Sequence, residues 1–250
     1  MVGESGAGKS SLLKTFTTAL SNKEDIADIY RIGPSTHGKK SATLKMHLEP
    51  IYIGGETKEQ EQCLPCRFYD MPGLDDDQTV TEDEIMKIIN NNTNECKDSK
   101  EAALKKNLTP ADEVHCILYV INAKANLTTT ISKSINIMKS ILQRIQKDDG
   151  IRQFVVVTAI DELGVPNEDM KNAYKYRCVR KHCEKVSVAF NVDLFHVIPV
   201  SNYFVEVTSN DAKNAMSLFN FWRVFHSGKD FIDRHWNKKE TPEGLRKLMV

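Results

Sequence analysis

The sequence predicts an α/β fold of three layers, with helices on both faces of a mostly parallel sheet. Three observations carry that expectation. Near-continuous apolar runs at 114–121 (VHCILYVI) and 153–158 (QFVVVT) read as strands buried on both faces. Segments of helical spacing alternate with such runs: Leu12, Leu13, Phe16 and Leu20 in one, and Ile131, Ile135, Met138, Leu142 and Ile145 in another. The third observation is the opening, MVGESGAGKS, where Gly3 to Ser10 read G-x-x-x-x-G-K-S directly before the first amphipathic helix.

The remaining elements follow in order. Residues 21–41 are polar and carry Gly33-Pro34 and Gly38, which predicts a loop. Residues 44–53 begin as a strand in which Leu44, Met46 and Leu48 point one way. Pro50 cannot donate to a ladder, so this strand is expected at a sheet edge. CRFYD at 66–70 predicts a short strand and 82–90 a helix. Residues 90–112 are rich in Asn and Lys and predict a mobile insertion. Beyond the apolar runs come a helix at 169–186, a strand at 194–200 (LFHVIPV) and a long aromatic helix at 212–236. Residues 1–236 are therefore expected to form one domain, with a polar tail at 237–250.

Composition narrows the function. Lys plus Arg and Asp plus Glu are each 34, a net charge of zero, which supports neither nucleic acid nor an anionic membrane as the main partner. No apolar run approaches the roughly 20 residues of a membrane span. The 6 cysteines are irregularly spaced and predict reduced thiols. With no basic and apolar leader in the sequence, a cytoplasmic protein is expected.

Four motifs carry the chemistry. In the phosphate loop, backbone N–H groups of Gly3, Glu4, Ser5, Gly6, Ala7 and Gly8 are expected to cradle phosphate oxygens. Lys9 would neutralise the β- and γ-phosphates, Ser10 would ligate Mg²⁺, and Ser11 opens a helix whose dipole favours anions. Asp70-Met71-Pro72-Gly73 closes a strand. A carboxylate there can hold Mg²⁺ through water, and the Gly73 N–H can bond a γ-phosphate. Thr158-Ala159-Ile160-Asp161 and Ser201-Asn202-Tyr203 each close a strand too. Ligands of open α/β sheets bind at the carboxyl ends of strands, so all four motifs are expected on one rim.

On these residues the chain resembles the translation-factor class of P-loop GTPases. The resemblance implies that Asp161 accepts hydrogen bonds from guanine and that Ser201 and Asn202 lie where the base is contacted. More narrowly, GESGAGKSSLL, YDMPGL and IPVSNY are similar to the interferon-induced protein 44-like family. That likeness runs over roughly residues 2–236 and implies an innate-immune or antiviral setting. It implies GTP or GDP as ligand, Mg²⁺ as cofactor, and a partner protein or homodimer. The switch threonine that would join Ser10 and Asp70 at the metal is assigned to Thr43, with Thr36 as the alternative.

The sequence also departs from the pattern. Ala159 stands where a lysine would lie on the guanine plane, and Leu74 follows Gly73 where many regulatory GTPases have a water-positioning glutamine. Slow or partner-dependent hydrolysis is expected. Two other readings stay open: a non-cycling pseudo-GTPase serving as an interaction module, and an ATP-dependent kinase-like enzyme. Only Met1 and Val2 precede the loop, so the first strand is expected to be largely missing. That strand is expected between the one ending at Asp70 and the one ending near Ile121, and its shortness predicts a fragment of a longer protein or a mis-started reading frame.

Other features have plainer readings. Cys63-Leu64-Pro65-Cys66 is expected in a loop entering a strand, and His115 and His196 inside apolar strands. Phe221 lies off the main apolar stripe of its helix and marks a candidate interface.

Overall fold

The computed structural model describes residues 1–21, 24–26, 47–53, 62–74, 81–89, 113–127, 131–148 and 150–235. The expected insertion at 90–112, the tail at 237–250, and both switch candidates, Thr43 and Thr36, lie outside the described residues.

The strands are β1 (Val2–Gly3), β2 (His47–Ile53), β3 (Gln62–Asp70), β4 (Cys116–Asn122), β5 (Arg152–Thr158) and β6 (Val197–Pro199). The helices are α1 (Lys9–Ser21), α2 (Glu82–Ile89), α3 (Lys133–Asp148), α4 (Arg177–Phe190) and α5 (Asp211–His235). Strands β1, β4, β5 and β6 form a parallel sheet in the order β1-β4-β5-β6. β2 and β3 pair antiparallel, with a register shift between Pro50 and Tyr52. The chain thus runs through Pro50 as strand, at an edge, where the missing N–H does least harm.

β1 joins the two sheets. It pairs with β4 through Val2↔Tyr119 and Gly3↔Val120. On its other side the Met1 amine donates to the Tyr69 carbonyl at 2.6 Å and Leu74 N–H donates to the Gly3 carbonyl at 3.0 Å. The first strand therefore lies between β3 and β4, as expected, and is two residues long.

Alternation along the strands builds the two apolar layers. Ile117, Tyr119, Ile121, Val155 and Val157 face the buried residues of α2, α3 and α4. Leu118, Val120, Phe154 and Val156 face Leu12, Phe16, Phe221 and Val224 of α1 and α5. The helix ends are closed by local chemistry. Thr81 and Glu84 exchange reciprocal hydrogen bonds ahead of α2, and Asn210 caps α5 by accepting from Lys213 N–H at 3.0 Å. Among the described residues no helix is long and apolar enough to cross a membrane.

Several expectations need correction. Leu194–His196 is a 3₁₀ turn, and the strand after it is only Val197–Pro199. Phe195 is 65% exposed, so apolarity in this run did not mean burial, and His196 lies outside a strand. His115 likewise precedes β4. The helix expected from 169 starts as a kinked 3₁₀ stretch, Asn167–Lys175, and α4 begins only after Tyr176 adopts an extended conformation. Cys63 and Cys66 lie within β3. Phe221 is buried, packed against the rings of Phe16 and Phe225 at 5.6 and 5.9 Å. The exposed rings of α5 are Phe219 and Trp222.

This assignment is testable by paired truncation. Phe221→Ala should lower unfolding free energy by about 3–5 kcal/mol, the usual cost of deleting a buried ring. Trp222→Ala, at a site 55% exposed, should cost about 0.5 kcal/mol. Chemical denaturation of the two variants checks the order, and equal losses would place Phe221 at the surface.

Candidate functional site: a phosphate loop and its rim

Gly3 to Ser10 pass from β1 into α1, and the loop's shape rests on glycine. Gly8 has φ +92°, and a Cβ there would sit 2.7 Å from the Asn202 side-chain nitrogen. Gly6 also takes a left-handed φ, +74°. Both are conformations that side chains disfavour.

The loop's carbonyls are held from several directions. The buried Lys9 Nζ donates to the carbonyls of Gly3 and Glu4, both at 2.9 Å. Thr158 Oγ1 donates to the Ala7 carbonyl at 2.7 Å and lies 3.2 Å from that of Ile121. Asn202 Nδ2 donates to the Gly8 carbonyl at 3.1 Å. Ser132 Oγ donates to the Glu4 carboxylate, and Ser134 Oγ donates to the Leu74 carbonyl at 2.9 Å. Ser5 lies against Gly73, and the half-buried Ser11 accepts from Thr15 Oγ1 at its carbonyl at 2.7 Å.

Ser10 and Asp70 meet although 60 residues separate them. Ser10 Oγ donates to Asp70 Oδ2 at 2.6 Å, and Asp70 Oδ1 is buried with no hydrogen-bond partner. A buried carboxylate oxygen with an unused lone pair is costly to leave bare. A hydroxyl beside an unsatisfied carboxylate is an all-oxygen donor set, which fits a hard cation such as Mg²⁺ that keeps most of its own waters. Among the described residues no group of three or more His, Cys, Asp or Glu side chains gathers elsewhere.

The D-x-x-G segment packs directly on the loop. A Cβ on Gly73 would lie 2.5 Å from Ser5 Cα, and Leu74 forms a parallel bridge with Glu4. Across the rim, Asp161 sits in a 3₁₀ turn entered through Ala159, whose φ of 58° is left-handed. Ser201, itself fully buried, donates to Asp161 Oδ1 at 2.8 Å. Asp161 is exposed, so its second oxygen is free to meet a ligand from solvent.

The structure thus brings the described members of all four motifs to one rim and leaves Thr43 undescribed. It adds supports that the motifs do not contain: Ser132 and Ser134 at the start of α3, and Thr15, whose Oγ1 accepts from Tyr203 N–H at 3.0 Å. No spacing rule flags these residues, because each acts through a hydroxyl that any serine or threonine carries.

Gly73→Ala tests the close approach. Overpacking against backbone costs about 1–3 kcal/mol, and here the atoms displaced belong to the phosphate loop. We expect a lowered melting temperature together with weaker retention of fluorescent GTP. Unchanged nucleotide retention would show that the two segments are not coupled.

A family model described as 50S ribosome-binding GTPase matches residues 1–160 of the 250. That span takes in the phosphate loop, Asp70 to Gly73 and the end of β5. A search of curated proteins finds no match. With the family's phosphate loop and D-x-x-G segment assembled on one rim of a parallel α/β sheet, the chain belongs to the 50S ribosome-binding GTPase family of P-loop, guanine-nucleotide-binding proteins.

Proposed function

We propose that the protein binds GTP and GDP with Mg²⁺ at this rim and hydrolyses GTP slowly unless a partner or a second copy completes the site. The contact between Ser10 Oγ and Asp70 Oδ2, with Asp70 Oδ1 unsatisfied, is the observation that carries the metal-dependent reading. Lys9 would face the β- and γ-phosphates, and loop N–H groups from Glu4 to Ser10 would surround them. Bound there, Mg²⁺ would neutralise phosphate charge and orient the γ-phosphate for in-line attack. Thr43 would complete the metal site from a segment outside the described residues.

Slow turnover has a physical basis. The residue after Gly73 is Leu74, 3% exposed and packed in the core, so its side chain cannot position a water. A regulatory GTPase acting unaided turns over at about 10⁻⁴ to 10⁻³ s⁻¹. We expect a single-turnover rate in that range at low protein concentration, and a rate above about 0.1 s⁻¹ would contradict the account.

Guanine selectivity would rest on Asp161, oriented by Ser201, and would lack the stacking that Ala159 cannot supply. A site built for hydrogen bonds rejects ligands without the matching groups. Asp161→Asn should therefore move thermal stabilisation from GTP towards xanthosine triphosphate. Equal stabilisation of the unaltered protein by ATP and GTP would defeat the guanine assignment. Stabilisation by GTP without any detectable turnover, with or without added partners, would favour the second reading, a non-cycling GTPase-like module; the buried Leu74 is the observation behind it.

The similarity of GESGAGKSSLL, YDMPGL and IPVSNY to the interferon-induced protein 44-like family supports an innate-immune role. The free cysteines, among them Cys63, Cys116 and Cys183, suit a reducing cytoplasm. The family description makes a 50S ribosomal particle a candidate partner, and co-sedimentation with such particles in the GTP state tests it.

A further inference from the structure

At the amino end of β6, away from the rim that its carboxyl end serves, a cavity of about 670 Å³ opens to solvent. That size falls in the range of small-molecule sites. Its walls come from α4, α5 and the turn leading into β6, and much of the lining is apolar, with Val179, Val197 and Phe219 among it. The charged residues of the lining are Lys171, Arg180 and Arg223. Among the described residues no acidic side chain lines it.

Arg223 is the anomaly. It carries a permanent positive charge yet is only 7% exposed. Of its five N–H groups, one on Nη1 donates to the Tyr174 hydroxyl at 2.9 Å and one on Nη2 donates to the Phe195 carbonyl. Its Nε is buried without an acceptor. The groups around it are neutral: burial pushes both the Tyr174 phenol and the Cys183 thiol up to about 12. Arg180 has Glu184 at 3.0 Å, but among the described residues no carboxylate pairs with Arg223.

A buried guanidinium without a counter-ion is costly. Aromatic faces offset part of that cost: Cζ lies 4.5 Å from the centre of the Phe195 ring and 5.8 Å from that of Phe219. The cation is also tied to the sheet. Tyr174 donates its hydroxyl proton to Asn220 Oδ1, and Asn220 Nδ2 donates to the Pro199 carbonyl of β6 at 2.9 Å. Arg223 is thus a fixed, desolvated positive charge in the wall of an open cavity.

We propose that this cavity binds a small aromatic monocarboxylate, its carboxylate paired with Arg223 and its ring against Phe195 and Phe219. A planar carboxylate matches the planar guanidinium, and a single negative charge matches the single unpaired cation. A flat apolar body suits walls of aromatic rings and valines. A phosphate brings a second charge and a heavier hydration shell into the same apolar walls, so it fits less well. Lys171 and Arg180 add positive potential that draws an anion in. No residue of the nucleotide rim takes part, so the proposal stands apart from the nucleotide reading.

The test titrates naphthoate into the full chain and follows it by nuclear magnetic resonance. Naphthylmethanol serves as the uncharged control and naphthyl phosphate as the dianion. Naphthoate should saturate with a Kd below about 1 mM, and should shift the Nε–H resonance of Arg223 together with the amides of Cys183 and Val197. The alcohol and the phosphate should each bind about tenfold or more weakly. An unmoved Arg223 Nε–H resonance would overturn the proposal. Equal affinity for the alcohol would reduce the site to an apolar surface, and equal or tighter binding of the phosphate would overturn the monocarboxylate class. Arg223→Met should still fold, because it removes an unpaired buried charge, and should lose about tenfold or more in affinity for naphthoate. Phe219→Ala covers poor folding of that variant: its ring is half exposed, so the fold should persist while affinity falls about threefold or more. Unchanged affinity in either folded variant would overturn the proposal.

Discussion

The site depends on how the carbonyl side of the phosphate loop is held. For the N–H groups of Gly3 to Ser10 to converge on an anion, their carbonyls must turn outward and find donors. Leu74 N–H serves Gly3, Lys9 serves Gly3 and Glu4, Thr158 serves Ala7, and Asn202 serves Gly8. Each donor comes from a different part of the chain, so the loop is clamped by the sheet as a whole.

The same clamp couples the motifs. Asp70 and Gly73 flank one turn of backbone whose two ends touch the loop, one through Ser10 and the other through Ser5. The segment runs on to Leu74, whose side chain is buried in the apolar cluster that also holds residues of α2, α3 and α4. Ser134 fixes the Leu74 carbonyl, so movement beyond that point passes to the helix layer. Ser10, Asp70, Gly73 and Leu74 thus form one connected run of contacts between the loop and the helix layer.

The convergence of the motifs on one rim was legible from sequence, because phosphate chemistry constrains residue type and spacing together. Lys9 must follow a glycine turn, Asp70 must end a strand, and Asp161 must lie just beyond one. The fold was legible wherever strands are buried on both faces, as at Ile117 to Ile121 and Phe154 to Val157. Reading failed where apolarity and burial part company. Phe195 in LFHVIPV is exposed beside Arg223, whose guanidinium lies 4.5 Å from its ring, so this run is part turn and part strand. Phe221 erred the other way, since an edge-to-face contact with Phe16 and a tilted one with Phe68 bury a position that the helical stripe leaves aside. The loop's supporting hydroxyls were invisible for a third reason: any serine or threonine can supply one hydrogen bond, and only the fold decides which does.

The account's central claim is that this clamped loop binds a guanine nucleotide through Lys9. Calorimetric titration of Mg-GTP and Mg-GDP into the intact protein and into Lys9→Ala, with Mg-ATP as control, tests it most directly. The account predicts saturable heats with both guanine nucleotides, weak or absent heat with Mg-ATP, and loss of binding in a variant that still unfolds cooperatively. Equal titration curves for the intact protein and the folded Lys9→Ala variant would contradict it.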